Sequence, residues 1–142
     1  MKIKILTIGK VREKIYQNRI QEYIKWISKY SKIEIINLKD TYKKNLKKNL
    51  LNYLNSDSFT ICLSEEGEQK TSKQFSKFIY EQNKEVIFII GSSNGYPDYV
   101  KKLSNKVLSL SKMTFLHEMS LLILSEQIFR AIAIKHGRKY HK

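Results

Sequence analysis

The chain has 142 residues, 42% of them hydrophobic, with 27 basic against 13 acidic side chains and a formal net charge of +14. That length fits one domain spanning residues 1–142 with a single sizeable core. The charge points to a polyanionic partner, nucleic acid ahead of a membrane surface, and no run approaches the roughly 20 apolar residues that a membrane span needs.

Lysine outnumbers arginine 23 to 4, and Ile and Asn are also frequent, as in a nucleotide-skewed genome, so the sign of the charge informs more than its size. The segment Met1 to Gly9 lacks the continuous apolar stretch of a signal peptide and reads as a first strand. Tyr16, Ile20, Tyr23, Ile27 and Tyr30 then recur every three or four positions among polar residues, which predicts an amphipathic helix. Ile33 to Leu38 is a second strand, and Lys39 to Asn55 is a Lys/Asn/Leu segment of weak helical character.

Phe59 to Leu63 is the third predicted strand and holds the only cysteine, Cys62, which reads as a small core residue. No intrachain disulfide can form, so a reduced, cytoplasmic setting is expected. Thr71-Ser72-Lys73-Gln74 matches a capping box and opens a helix with Phe75, Phe78 and Ile79 on its buried side. Val86 to Ile90 has no polar alternation, the pattern of a strand buried on both faces of a parallel sheet. Pro97 suits a first helical position before a short helix through Leu103. A fifth strand near Lys106 to Leu110 follows, and a helix from Glu118 to His136 closes the chain.

Strands alternating with helices predict an α/β fold, a mostly parallel sheet with helices on both faces. All five glycines, at 9, 67, 91, 95 and 137, fall at predicted ends or connections. From Leu121 to Ile134 the last helix is apolar almost all round, so more than one of its sides should be covered, a partner subunit being the expected cover.

Ligands of such sheets bind beyond the carboxyl ends of the strands, which directs attention to Gly91-Ser92-Ser93-Asn94-Gly95. The G-x-x-x-G spacing is neither a dinucleotide fingerprint nor a Walker A loop. It is read evenly as a ligand turn or a plain strand-to-helix turn. Ser109 to Phe115 carries small hydroxyls and free main-chain amides suited to a neutral heterocycle. His117 is a helix cap, an acid or base, or a packing group, with a structural role favoured. His117, His136 and His141 show no zinc spacing with one another or with Cys62, so no metal is expected. Glu65, Glu66 and Glu68 read as a solvated charge cluster in a loop. The basic end, Lys135 to Lys142, is either a solvated run or an RNA contact, in which Tyr and His stack on bases. Lys43, Lys44, Lys47 and Lys48 are candidate phosphate contacts.

Leu63 at a strand end, Gly91-x-x-x-Gly95, Leu110-Ser111-Lys112-Met113-Thr114-Phe115, Glu126-Gln127-x-x-Arg130-Ala131 and Tyr140-His141-Lys142 occur in an order and spacing that resembles the RlmH family of SPOUT-superfamily methyltransferases. The likeness covers the whole chain, from Lys2-Ile3-x-Ile5 and Gly9-Lys10 onward. It implies a SPOUT-type fold with a carboxyl-terminal trefoil knot, an exception to the unknotted rule. It also implies a homodimer without metal or membrane, an S-adenosylmethionine pocket at Leu63, Gly91 and Leu110 to Phe115, and methylation of N3 of pseudouridine 1915 in 23S rRNA within the ribosome. By the same resemblance Arg130, Tyr140 and His141 handle the substrate: Arg130 positions phosphate or base, Tyr140 stacks or orients, and His141 is the candidate base. The chain departs from the family at Ser92 (often glycine), Leu116 (often proline) and Phe129 (often tyrosine). Two other readings stay open: a non-catalytic RNA- or ribosome-binding protein of this fold, and a related enzyme acting on tRNA.

Overall fold

The computed structural model describes residues 1–39, 43–92 and 95–141, and all their side chains but those of Lys43 and Lys44. The expectations placed on Ser93, Asn94, Lys142 and the side chains of Lys43 and Lys44 lie outside the described residues.

The elements follow in order as β1 (Lys2–Ile8), α1 (Lys14–Ile27), β2 (Lys32–Leu38), α2 (Lys43–Leu51), β3 (Ser58–Gln69), α3 (Ser72–Glu81), β4 (Glu85–Ile90), α4 (Asp98–Leu103), β5 (Lys106–Ser109) and α5 (His117–Lys135). The five strands form one sheet in the order β2-β1-β4-β3-β5, every neighbouring pair parallel. The predicted parallel sheet is therefore present. Apolar β4 is its centre, paired with β1 through Ile3 and Val86 and with β3 through Phe59 and Val86.

Alternation along β4 divides the core between two faces. Val86, Phe88 and Ile90 pack with α1, α3 and α5 through Ile20, Phe75, Ile79, Leu124 and Ile128. Ile87 and Ile89 pack with α2 and α4 through Leu46, Leu50 and Val100. Helices thus cover both faces, and full burial of each such side chain contributes about 1.5–3 kcal/mol. Cys62 is wholly buried in the second cluster. Thr71 completes the expected capping box, accepting from the Gln74 amide while the Gln74 side chain accepts from the Thr71 amide.

Four expectations are corrected. β3 runs to Gln69 instead of stopping at Leu63, so Gly67 lies inside a strand and the three glutamates are not in a loop. Leu63 and Glu68 both pair with Leu108, and the residues between them leave the one-to-one ladder. At Gly67 the strand crosses the β5 backbone so closely that a Cβ would lie 2.7 Å from main-chain atoms of Val107 and Leu108. Two of the glutamates carry ion pairs: Glu66 holds Lys101 at 2.6 Å, and Glu68 holds Lys70 at 3.0 Å together with Lys106. Pro97 is the residue before α4 and not its first, with φ −62° and ψ 144°, the extended geometry of a helix N-cap.

α5 lies against α1, α3 and the sheet through Leu121, Leu124, Ile128, Ala131 and Ile132. Ser76 ties α3 to it by donating to the Ala131 carbonyl at 2.7 Å. Leu122, Ile123, Phe129 and Ile134 remain partly exposed. Among the described residues no helix is long and apolar enough to cross a membrane, and no group of three or more His, Cys, Asp or Glu is arranged to hold a metal ion.

Candidate active site

β4, β3 and β5 are neighbours, and just beyond their carboxyl ends lies a cavity of about 510 Å³. That is the place the parallel-sheet rule assigns to ligands, and the volume is of the ordinary size for a small-molecule site. Of the residues expected there, Leu63, Gly91, Leu110, Ser111, Met113, Thr114 and Phe115 line it. Lys112 is exposed and is not among the lining residues.

Local structure explains the shape of the walls. Gly91 lets the chain leave β4 against the Tyr96 ring, where a Cβ would sit 3.1 Å from ring carbons and 3.2 Å from the Gly95 carbonyl. Tyr96 fixes that turn by donating its hydroxyl to the Ile89 carbonyl at 2.5 Å. Burial pushes its phenol well above the ordinary value, so Tyr96 stays a neutral donor. On the opposite wall Ser109 donates to the Ser111 carbonyl at 2.7 Å, and Ser111 accepts from the Met113 amide at 3.0 Å, bending the chain from β5 towards α5.

Residues that the sequence reading assigned no ligand role complete the cavity. Ser64, Glu65 and Glu66 reach it because β3 bulges there, and Asp98 and Lys101 come from α4. The Lys101 ammonium holds Glu66 below the usual carboxylate range. His117 lines the cavity as the first residue of α5. Its Nδ1–H donates to the Gly91 carbonyl at 2.7 Å, and its Nε2 is buried without a hydrogen-bond partner among the described residues.

A second cluster forms at the other end of α5. The helix ends in a Schellman motif: Gly137 takes φ +65°, its amide donates to the Ile134 carbonyl, and the Arg138 amide donates to the Ala133 carbonyl. The chain therefore folds back, bringing the Tyr140 ring 4.8 Å from that of Phe129 and beneath the Arg130 guanidinium at 4.8 Å. Glu126 Oε1 organises the group. It accepts from Arg130 Nε at 2.9 Å, Arg130 Nη2 at 2.6 Å and the Tyr140 hydroxyl at 3.2 Å. Arg130 Nη1 also donates to His141 Nδ1 at 3.2 Å, which leaves the imidazole proton on Nε2. Burial, the Tyr23 hydroxyl and the Glu126 charge push Tyr140 well above its ordinary pKa, so it acts as a hydrogen-bond donor and not as a base.

The structure thus brings Arg130, Tyr140 and His141 together, with Glu126 added, but not onto the cavity of the same chain. His117 and Arg130 stand about 20 Å apart along α5 at 1.5 Å rise per residue.

A parallel α/β sheet with a ligand-sized cavity across its carboxyl edge is the arrangement of a small-molecule-binding α/β protein. The chain belongs to the SPOUT methyltransferases: the family described as "Predicted SPOUT methyltransferase" matches residues 1–141. It is 39% identical to the Ribosomal RNA large subunit methyltransferase H of Bacillus cytotoxicus, over all of both chains. It is 38% identical to the protein of that name from Bacillus thuringiensis, again over all of both. A probable methylase family protein from Haemophilus influenzae shares the fold at TM-score 0.61 and 11% identity, over 99% of this chain and 70% of that one.

Proposed function

We propose that this chain transfers a methyl group from S-adenosylmethionine to N3 of pseudouridine 1915 in 23S rRNA of the ribosome, working as a homodimer in the cytoplasm. The observation that carries the reading is the cavity at the ends of β4, β3 and β5, walled by the segments through which the chain resembles rRNA methyltransferases. The residues present fit the donor. Main chain at Gly91, Leu110, Ser111 and Met113 to Phe115 suits an adenine edge, and the carboxylates of Glu65, Glu66 and Asp98 suit a ligand with sulfonium and ammonium charges. When bound, S-adenosylmethionine supplies a methyl group activated for in-line attack by its sulfonium sulfur.

The remaining work falls to side chains of this protein. Arg130, held in place by Glu126, presents charge to a phosphate or a base edge. Tyr140 donates or stacks. N3 of pseudouridine must lose a proton as it attacks, and His141 is the candidate acceptor, its Nδ1 becoming available when RNA draws Arg130 away. Positioning and a general base together account for most of the acceleration such a reaction needs, the base contributing about 10²- to 10⁴-fold.

The separation of about 20 Å along α5 supports the homodimer. An antiparallel second copy laid on Leu122, Ile123 and Phe129 would bring the tail of one chain over the cavity of the other. Exposed Met113 and Leu116 extend that apolar face beside the cavity. The trefoil knot belongs to the same reading, supported by the bond from His117 to Gly91 that joins the two loops it would pass together. So does a single domain over residues 1–142, since both core clusters share one sheet.

The test offers ribosomes, free 23S rRNA and tRNA to the protein with methyl-labelled S-adenosylmethionine, then maps the labelled RNA by mass. Label at position 1915 of ribosomal RNA is expected. Label in tRNA alone overturns the substrate, and absence of both transfer and donor binding leaves a non-catalytic RNA-binding protein.

A further inference from the structure

Of the five helices among the described residues, α2 alone carries no acidic side chain: it reads Lys43-Lys44-Asn45-Leu46-Lys47-Lys48-Asn49-Leu50-Leu51. Leu46 and Leu50 are buried on the sheet in one cluster with Val100 of α4, which turns the polar side of α2 outward. The Lys47 ammonium lies 5.6 Å from the Tyr99 ring and so links α2 to α4. Lys47, Lys48 and Lys102 are exposed, and none of them is in an ion pair among the described residues. The acidic groups on or against α4 are Asp98, exposed at its start, and Glu66, which Lys101 neutralises at 2.6 Å.

Two placements give this face a use. It covers the side of the sheet opposite α1, α3 and α5, so a second copy laid on α5 leaves it turned outward. It also adjoins the donor cavity, since Asp98 and Lys101 of α4 line that cavity. An RNA with one base at the cavity mouth therefore has α4 and α2 beside it.

The chemistry selects the occupant. Lysine is a compact point charge that meets phosphate without regard to the base. The rings on this side, Tyr53, Tyr96 and Tyr99, pack against the core cluster, and Lys47 lies over that of Tyr99, so the face offers charge and not stacking platforms. Base-paired RNA, whose bases are stacked inside and whose surface is phosphate and ribose, matches such a face. A membrane is the poorer partner, because Leu46 and Leu50 are taken up by the core and only Leu51 of the α2 leucines is exposed. A second copy would set like charges against one another.

We propose that the α2–α4 face, through Lys47, Lys48 and Lys102, docks the backbone of a base-paired stretch of RNA flanking the target base. The identity of the RNA rests on the methyltransferase reading, whereas the face does not.

The test compares two triple variants of the full chain that lose the same charge. Lys47→Gln, Lys48→Gln, Lys102→Gln strips the face, and Lys2→Gln, Lys32→Gln, Lys73→Gln strips exposed lysines elsewhere. By anisotropy with a labelled RNA hairpin, the first should bind about ten- to a hundredfold more weakly, with a slope of log Kd against log salt shallower by about 2 to 3, while the second stays within about threefold of wild type. With ribosomes the first should raise KM about tenfold while kcat and S-adenosylmethionine affinity hold. Equal weakening by both variants overturns the proposal, because net charge alone would then account for binding. A larger loss for a single-stranded oligoribonucleotide than for the hairpin overturns it too. A raised KM on ribosomes with hairpin affinity and salt slope unchanged overturns it in favour of an acidic protein partner. Hairpin binding that depends on the face, without methyl transfer by the wild type, sinks the enzyme reading and leaves the face standing.

Discussion

His117 and Gly91 are joined by a 2.7 Å hydrogen bond that fastens the start of α5 to the turn after β4, with the cavity between them. One side chain thereby fixes two walls. His117→Phe should lower S-adenosylmethionine affinity about five- to tenfold, the worth of one such bond, while His117→Asn, whose amide can donate from much the same position as Nδ1, should recover most of it. Calorimetric titration of both variants decides. Equal losses in the two would show that the ring, not the bond, is what matters.

Gly67 should be the least replaceable glycine in the described sheet. A Cβ there lies 2.7 Å from backbone that cannot swing aside, so Gly67→Ala must part β3 from β5. The expected cost is about 1–3 kcal/mol in urea unfolding, with donor binding weakened because Leu63 and Leu110 flank the strained ladder.

Glu126 is expected to matter to chemistry without touching the donor cavity. Glu126→Gln frees Arg130 and Tyr140 from their common acceptor. Misplacing such groups by about 1 Å costs on the order of 10²-fold in rate. S-adenosylmethionine affinity should stay within twofold, so a loss of donor binding would place the residue in the wrong role.

A chain lacking Tyr140 to Lys142 should bind S-adenosylmethionine normally and fail to methylate. Gly91→Val should do the reverse, because the new side chain meets the Tyr96 ring and the cavity. Mixed under conditions that exchange subunits, the two should regain activity neither has alone. No recovery would argue that each subunit completes its own site.

Burial pushes the Cys62 thiol up to about 11 from an ordinary 9.0. A group raised on folding stabilises the native state at lower pH and loses that contribution as pH climbs through the native value. Stability should therefore decline between roughly pH 9 and 11 in the wild type more than in Cys62→Ala, read from urea midpoints. At pH 8 a thiol reagent should label Cys62 only in the unfolded chain.

Much of this architecture was legible because β4 and the amphipathic helices carry unbroken periodic patterns. Five adjacent apolar residues leave β4 no place but the centre, and Thr71 with Gln74 marks a helix start chemically. The cavity was legible at Gly91, Leu110, Ser111 and Met113 to Phe115, where glycine and small hydroxyls punctuate strand ends, but not at Lys112, which is exposed to solvent and does not line it. What escaped depends on long-range register. The extension of β3 past Leu63 comes from pairing with β5, and neither the glutamates nor Gly67 carries a local sign of it. Likewise the contacts of Glu126 with the tail follow from the reversal at Gly137, and the tie of His117 to Gly91 spans 26 residues.

The pairing of β1 with β4 has a kinetic corollary. Lys4 and Glu85, bonded across that seam, are 81 residues apart in the chain, and every other ladder also needs a crossover before it can zip. Closing such distant contacts is slow, so the chain should refold in milliseconds to seconds instead of microseconds. Gly91 hangs from the end of the same strand. The capacity to bind a donor should therefore appear late and all at once, coincident with the final rise in native signal.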